Sequence, residues 1–316
     1  MHFDLKQHTI LKVVHGSVLY GTNMPSSDID YKGVAVSPMK MYLGVADVFE
    51  QAEKYANKGA ECDEVIYDVR KYCKLAMGAN PTILETLFIP EECIVEVKSA
   101  GRYLLENADH FLSQKAFHTH HGFAYSQLRR LHNHKAWMRN PPTHKPTREE
   151  FGLSDKKIKG SDLGIIDTLL EQGHEISGML NELLSKEKGF LAATKNWEQY
   201  NDWKKNRNRD RYANEEKYGY DLKFAVHIVR LYMNCDEILT RQTLHARRPK
   251  EDLEILMAIR HGAYTYDSFI ELSEKYQSLC ENAKKCTKLR HAPDGDLIDQ
   301  ICQNTIELFY KDKANE

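Results

Sequence analysis

The sequence predicts an α/β (α+β) protein: a small mixed sheet in roughly the first hundred residues, then a purely helical region. Three observations carry this. Short Val- and Ile-rich runs separated by turn residues are confined to the first part of the chain. Beyond about residue 100 they give way to long segments with apolar residues at helical spacing. A carboxylate pair and a Gly-Ser step also fall at the ends of two of the early runs, where a sheet would present them side by side.

The elements follow in order. Residues 8–14 (HTILKVV) read as a strand running into Gly16-Ser17. Residues 29–36 (IDYKGVAV) form a second strand, stopped by Ser37-Pro38, and 45–51 (VADVFEQ) a third. Asp63 to Tyr67 is another strand, after which Asp68 caps a helix with Val69, Tyr72, Cys73 and Ala76 on one stripe. Asn80-Pro81 opens a further helix, with proline at its first position, and ECIVEV supplies a last strand before residue 97. Helical patterns then cover 101–139, 162–186, 219–242, 250–258 and 266–287, while 187–218 is polar and aromatic without a clear period. The expected division is an α/β domain over 1–105 and a helical domain over 106–316.

Composition narrows the function classes. With 41% hydrophobic and 28% charged residues the chain reads as an ordinary soluble protein, and no apolar run approaches the roughly 20 residues that span a bilayer. The start, MHFDLKQHTI, lacks the layout of a secretory signal, and seven dispersed cysteines without a CxxC pair suggest reduced thiols. The expectation is a cytoplasmic protein with no membrane partner. A net charge of −2 excludes a globally basic nucleic-acid binder. The charge is uneven, however: 110–148 holds Lys115, Arg129, Arg130, Lys135, Arg139, Lys145 and Arg148 and no acid, and 203–209 and 247–250 are basic too. Local stripes of this kind can track a polyanion.

The chemistry centres on Asp28 and Asp30. Two apart on a strand, they point to one face, where two carboxylates need a cation between them. Mg²⁺ (or Mn²⁺) suits one or two carboxylates with phosphate oxygens and water. A third acid from a neighbouring strand would complete a site for in-line displacement at phosphorus; Asp63 is the choice, with Glu64 and Asp68 as fallbacks, Asp68 being equally explained as a helix cap. Gly16-Ser17, where a strand turns into a helix, offers backbone N–H groups and a hydroxyl to a phosphate. Either motif alone is weak, since DxD is commonly a solvated loop.

The run HGSVLYGTNMPSSDIDYKGV resembles the signature of the predicted nucleotidyltransferases of the DNA polymerase β superfamily associated with RNA repair. DEVIYDVRKYCKLAMGANPTILETLF, KYGYDLKFAVHIVRLYMNCDEIL and RRPKEDLEILMAIRHGAYTYDSF are similar to further parts of that family. The resemblance implies a metal-dependent transfer of a nucleoside monophosphate from an NTP to a hydroxyl, on RNA by expectation. Gly16 and Ser17 would then grip phosphate, and Asp28, Asp30 and Asp63 would be catalytic acids and metal ligands. Two other readings are a small-molecule or protein hydroxyl as acceptor, and a silent scaffold kept for RNA binding or assembly.

Lys223, His227 and Arg230 lie at i, i+4 and i+7 on one helix face, a stripe suited to a triphosphate, or otherwise a solvated face with one half-buried histidine. Arg260 is a weaker candidate of the same kind. His118, His120, His121, His132, His134 and His144 lack the converging ligands of a zinc site. Tyr125 and Trp137 either stack bases or belong to the core.

Overall fold

The computed structural model describes residues 3–25, 27–45, 47–55, 62–155, 169, 171, 178–206 and 215–315. It contains the mixed sheet followed by helices that the sequence predicts. Five strands, β1 (Thr9–His15), β2 (Asp30–Ala35), β3 (Gln51–Lys54), β4 (Glu64–Asp68) and β5 (Ile94–Val97), run in the order β3-β4-β2-β1-β5. β2 and β4 are parallel; the other three pairings are antiparallel.

Between and after the strands come α1 (Leu5–His8), α2 (Gly16–Tyr20), α3 (Met39–Leu43), α4 (Val69–Met77), α5 (Pro81–Leu87), α6 (Ser99–Glu106) and α7 (Gly122–Arg139). Among the described residues these are followed by α8 (Gly178–Asn206), α9 (Leu222–Arg241), α10 (Lys250–Arg260), α11 (Tyr266–Cys286) and α12 (Gly295–Asn315).

The chain divides into two compact units. The first comprises Met1–Arg129 and Asp221–Glu316 and holds the sheet. Its core is built from Ile10, Leu11 and Val13 of β1, Val34 and Val36, the Val69, Tyr72, Cys73 and Ala76 stripe of α4, Ile83 and Leu84 of α5, and Ile298, Ile301 and Phe309 of α12. The second unit, Arg130–Tyr220, is held by an aromatic group of His134, Trp137, Tyr200 and Trp203. The Trp137 indole N–H donates to Asn196 (2.9 Å), and a two-pronged ion pair joins Arg148 to buried Glu187.

Several local expectations shift. The third strand is Gln51–Lys54 rather than 45–51. Antiparallel pairing sets Gln51 opposite Tyr67, so residues before Gln51 would need partners beyond Asp68, where the chain has already turned into α4. Val45 and Val48 are left exposed in consequence. The helical segment 101–139 is broken: α6 stops at Glu106, a 3-10 turn follows at Ala108–Phe111, and a π-helical turn (Phe117–His121) leads into α7. The aperiodic stretch from 187 is α8 as far as Asn206, with Leu184, Glu187, Trp197, Tyr200 and Trp203 at helical spacing but too polar to read as an apolar stripe. Most of 162–177, and residues 207–214, lie outside the described residues. Among the described residues no helix is long and apolar enough to cross a membrane.

Asp68 is the hinge between β4 and α4. Its buried carboxylate accepts from the Arg70 backbone N–H (2.9 Å), the Ser37 hydroxyl (2.5 Å) and the Tyr42 hydroxyl (2.9 Å). Losing a cap costs about 1 kcal/mol and stranding buried hydroxyls about 1–3 kcal/mol more. Asp68→Ala is therefore expected to lower stability by about 2–4 kcal/mol in urea denaturation, with any activity per folded molecule retained.

Candidate active site

Gly16 and Asp30 are brought together by the β1–β2 pairing. His15, the last residue of β1, sits opposite Asp30, the first of β2, and the chain turns at Gly16 with φ +68°. A side chain at Gly16 would strain that backbone and would place its Cβ 2.2 Å from Asp30 Oδ2. Glycine is what lets the carboxylate approach the turn. Ser17 follows within α2, and its carbonyl accepts from Thr22 (2.9 Å) to close the turn. As α2 has five residues, it contributes little dipole, and the chemistry available here is the Ser17 hydroxyl and the turn amides.

The acids separate by face. Asp28 is exposed; Asp30 and Asp63 are half-buried. The Asp63 carbonyl accepts from the Tyr31 N–H (2.8 Å), fixing Asp63 beside the start of β2. Burial and the neighbouring Asp28 and Asp63 carboxylates push the Asp30 carboxyl above its usual range, against the pull of His15 and Lys32. Lys32, two residues on, shares this face; burial draws its ammonium down while Asp30, Asp63 and Glu53 hold it up.

Glu64 pairs with Tyr31 across the parallel ladder and lies on the opposite face. There it is ion-paired with Lys12 and with Lys54 (2.9 Å), and Lys12 also stands 4.7 Å above the Tyr31 ring. Burial would raise the Glu64 carboxyl, but those two lysines hold it below its ordinary value. Neither fallback acid is available, because Glu64 faces away and Asp68 is spent on the α4 cap.

Mutual repulsion among Asp28, Asp30 and Asp63 is relieved by a cation, and hard carboxylate oxygens are the donors Mg²⁺ takes. That donor chemistry fits a divalent metal. Among the described residues, however, no three His, Cys, Asp or Glu side chains are gathered into a metal-holding group.

The stripe on α9 is split by burial. Lys223 is exposed, His227 is half-buried and Arg230 is almost wholly enclosed. The Arg230 guanidinium forms an ion pair with Glu85 of α5, lies 3.6 Å above the Tyr20 ring and donates to His227 Nδ1 (2.9 Å). Its donors are thus committed inside the protein. Glu85 also accepts from the Tyr20 hydroxyl (2.7 Å) and Asn234 (2.9 Å), with His15 Nε2 at 3.5 Å. Burial alone would raise the Glu85 carboxyl; the Arg230 charge and the His15 and Tyr20 contacts outweigh it and hold it well below the carboxylate range.

Sequence reasoning missed Lys32, His15, Tyr20 and the role of Glu85. Lys32 continues the alternation of Asp28 and Asp30, and Glu85 is a lone acid in the apolar run ILETLF; both were legible signals. Of the other candidates, Trp137 is buried in the second unit and Tyr125 is exposed. His120 is buried, with Nδ1 at 3.1 Å from the Ala116 carbonyl.

Two histidines, buried His120 and half-buried His227, give this region a pH response. Burial lowers His120 to about 4, and burial with the Arg230 charge lowers His227 to about 3. Both stay neutral in the folded protein, whereas the unfolded chain protonates them near 6.5. The unfolded state binds more protons below that pH, so stability falls with acidification by about 1.4 kcal/mol per pH unit for each histidine. Urea denaturation between pH 7 and pH 4 is expected to show this, with a shallower slope in His120→Gln. An unchanged midpoint from pH 7 to pH 5 would refute the neutral assignment.

Among known proteins, residues 3–144 match the RNA repair pathway DNA polymerase beta family. An uncharacterized 38.9 kDa protein of the nrdC-mobD intergenic region of Enterobacteria phage T4 is 30% identical over 111 residues, which is 33% of this chain and 33% of the phage protein. The match thus spans about a third of that relative's length. No solved structure matches. The matched segment, just under half of the chain, contains the Gly-Ser turn, Asp28, Asp30, Asp63 and Glu85, and is similar to the RNA repair pathway DNA polymerase beta family.

Proposed function

We propose that this protein is a divalent-metal-dependent nucleotidyltransferase that moves a nucleoside monophosphate from an NTP to a hydroxyl on RNA. The observation that carries the reading is the packing of Asp30 against Gly16, which sets a carboxylate beside the Ser17 turn. The family match over residues 3–144 supports the same chemistry.

In this reading the turn amides and the Ser17 hydroxyl bind the triphosphate. Asp28 and Asp30 would hold the metal, with Asp63 beside them. Mg²⁺ or Mn²⁺, when bound, supplies charge neutralisation for the α-phosphate and for the leaving pyrophosphate. The acceptor oxygen forms a bond to the α-phosphorus while the bond to the bridging oxygen of pyrophosphate breaks. The hydroxyl proton passes to Asp63, which precedes β4 and lies beside the start of β2. Lys32, on that face, opposes the charge that develops on the phosphate oxygens. Lys223 and His227 lie toward the outside of α9, where they can meet a phosphate chain, and Arg230 acts behind them through Glu85. The chemistry is assigned to residues 1–105, and RNA as acceptor rests on the acid-free basic segment 110–148 within the helical part of the chain, 106–316.

The test is incubation with Mg²⁺, each α-labelled NTP and total RNA. Labelled RNA is expected, reduced by about 100-fold or more in Asp28→Asn/Asp30→Asn. Label transferred to a metabolite or protein instead would replace the acceptor. No transfer to any acceptor by folded wild-type protein would refute the activity.

A further inference from the structure

Glu85 lies on α5, outside the strands that carry the acids, yet its carboxylate touches the residues on both sides of the Gly-Ser turn. His15, immediately before Gly16, is 3.5 Å from Glu85 Oε2, and the Tyr20 hydroxyl, at the end of α2, donates to the same oxygen (2.7 Å). The other oxygen is taken by Arg230 and Asn234 of α9. Arg230 closes the arrangement by covering the Tyr20 ring at 3.6 Å, while His227 accepts from its far side. Glu85, Arg230 and Asn234 are all buried. Asn234 is held in turn by Arg248 (3.3 Å), itself ion-paired with Glu237 (2.5 Å).

A buried ion pair is weak evidence for stability, since desolvation can consume the gain, and a hydrophobic pair of similar volume would serve as well. What this pair does that a hydrophobic one would not is set one carboxylate oxygen against both ends of the segment, as hydrogen-bond acceptor for Tyr20 and within 3.5 Å of His15, the residue before it. α2 is too short to be stable as a helix by itself and has no side-chain cap at His15; buried Leu19 anchors its middle, and the Glu85 contacts fix its two ends. The Asp30 charge also acts on Tyr20, which places the grip within electrostatic reach of the acid face.

We propose that Glu85 and Tyr20 are positioning residues for the phosphate-binding turn, with Arg230 fixing both, so that Ser17 and Asp30 keep their alignment for in-line attack. This rests on the nucleotidyl-transfer reading, as the step being aligned is the one proposed above. Misplacement of a reacting group by 1 Å lowers rate far more than affinity.

The decisive variant is Tyr20→Phe, which removes the hydroxyl and keeps the ring beneath Arg230. Tyr232→Phe is its control: Tyr232 is buried on α9 two residues from Arg230, and its hydroxyl has no hydrogen-bond partner. Relative to wild type, Tyr20→Phe is expected to lower kcat by about 10- to 100-fold with KM for the NTP changed by less than about threefold. Tyr232→Phe should leave both unchanged. Hydrogen exchange supplies a readout independent of turnover: the amides of residues 16–22 should exchange about tenfold faster in Tyr20→Phe, with the urea midpoint near that of wild type.

Unchanged kcat per folded molecule in Tyr20→Phe overturns the proposal, as does equal loss in both variants. If wild-type protein transfers no nucleotide, the nucleotidyl-transfer reading fails by itself. The exchange measurement then still decides whether Glu85 and Tyr20 hold the turn, and unaltered exchange at 16–22 refutes that. Glu85→Gln leaves Arg230 buried without its counter-charge; where it folds, it should reproduce the exchange change of Tyr20→Phe.

Discussion

The approach of Asp30 to Gly16 is the constraint around which the sheet-bearing unit is arranged. It requires β1 and β2 to pair antiparallel with His15 opposite Asp30, and it requires the backbone after His15 to enter the left-handed region. A shift of one residue in that pairing would carry Asp30 to the other face of the sheet and leave Gly16 without purpose. The register is held by the apolar pattern behind it. Val13 and Leu11 on β1 and Val34 on β2 are wholly buried, and any slip would expose them. Core packing thus specifies the Gly16–Asp30 approach several residues away.

The two faces of the same strands carry opposite electrostatic policies. On the opposite face Glu64 is answered by Lys12 and Lys54, and Asp68 by a backbone N–H and two hydroxyls. In front, Asp28 and Asp63 both bear on Asp30, and His15 and Lys32 offset them only in part. Negative charge left uncompensated inside a fold costs stability, so it persists where a ligand repays it. The contrast between the faces says more than the acids do by themselves, because DxD on a surface loop is commonplace.

Much of this was legible in the sequence. Asp68 as a cap, Asn80-Pro81 as a helix start and the strands leading into Gly16 and out of Asp30 follow from local rules, and the structure contains them. The misjudged parts depend on partners distant in sequence. Whether 45–51 pairs is decided by where β4 ends, and whether Arg230 faces solvent is decided by Glu85, 145 residues away. The stripe of Lys223, His227 and Arg230 was read from helical spacing alone, and spacing cannot say which side of a helix the rest of the protein covers. Likewise α12, with Ile298, Ile301 and Phe309 in the core, was not anticipated, since its apolar residues are diluted by charge.

Glu85 shows why such a group is retained. Its site is dry enough that burial works against the charge, and the structure compensates with one guanidinium, one amide and one phenol. His120 and His227 remain neutral alongside, so around Glu85 the acid is balanced by Arg230, and the next buried guanidinium, Arg248, has its own acid in Glu237. Apolar side chains could fill the same volume, but they could not specify where Tyr20 ends or which way α2 turns. Direction is the property that hydrogen bonds add to packing. A short turn that must sit against a carboxylate needs direction more than it needs stability. The charged pair therefore belongs behind the turn, buried away from solvent, where water does not compete for its hydrogen bonds.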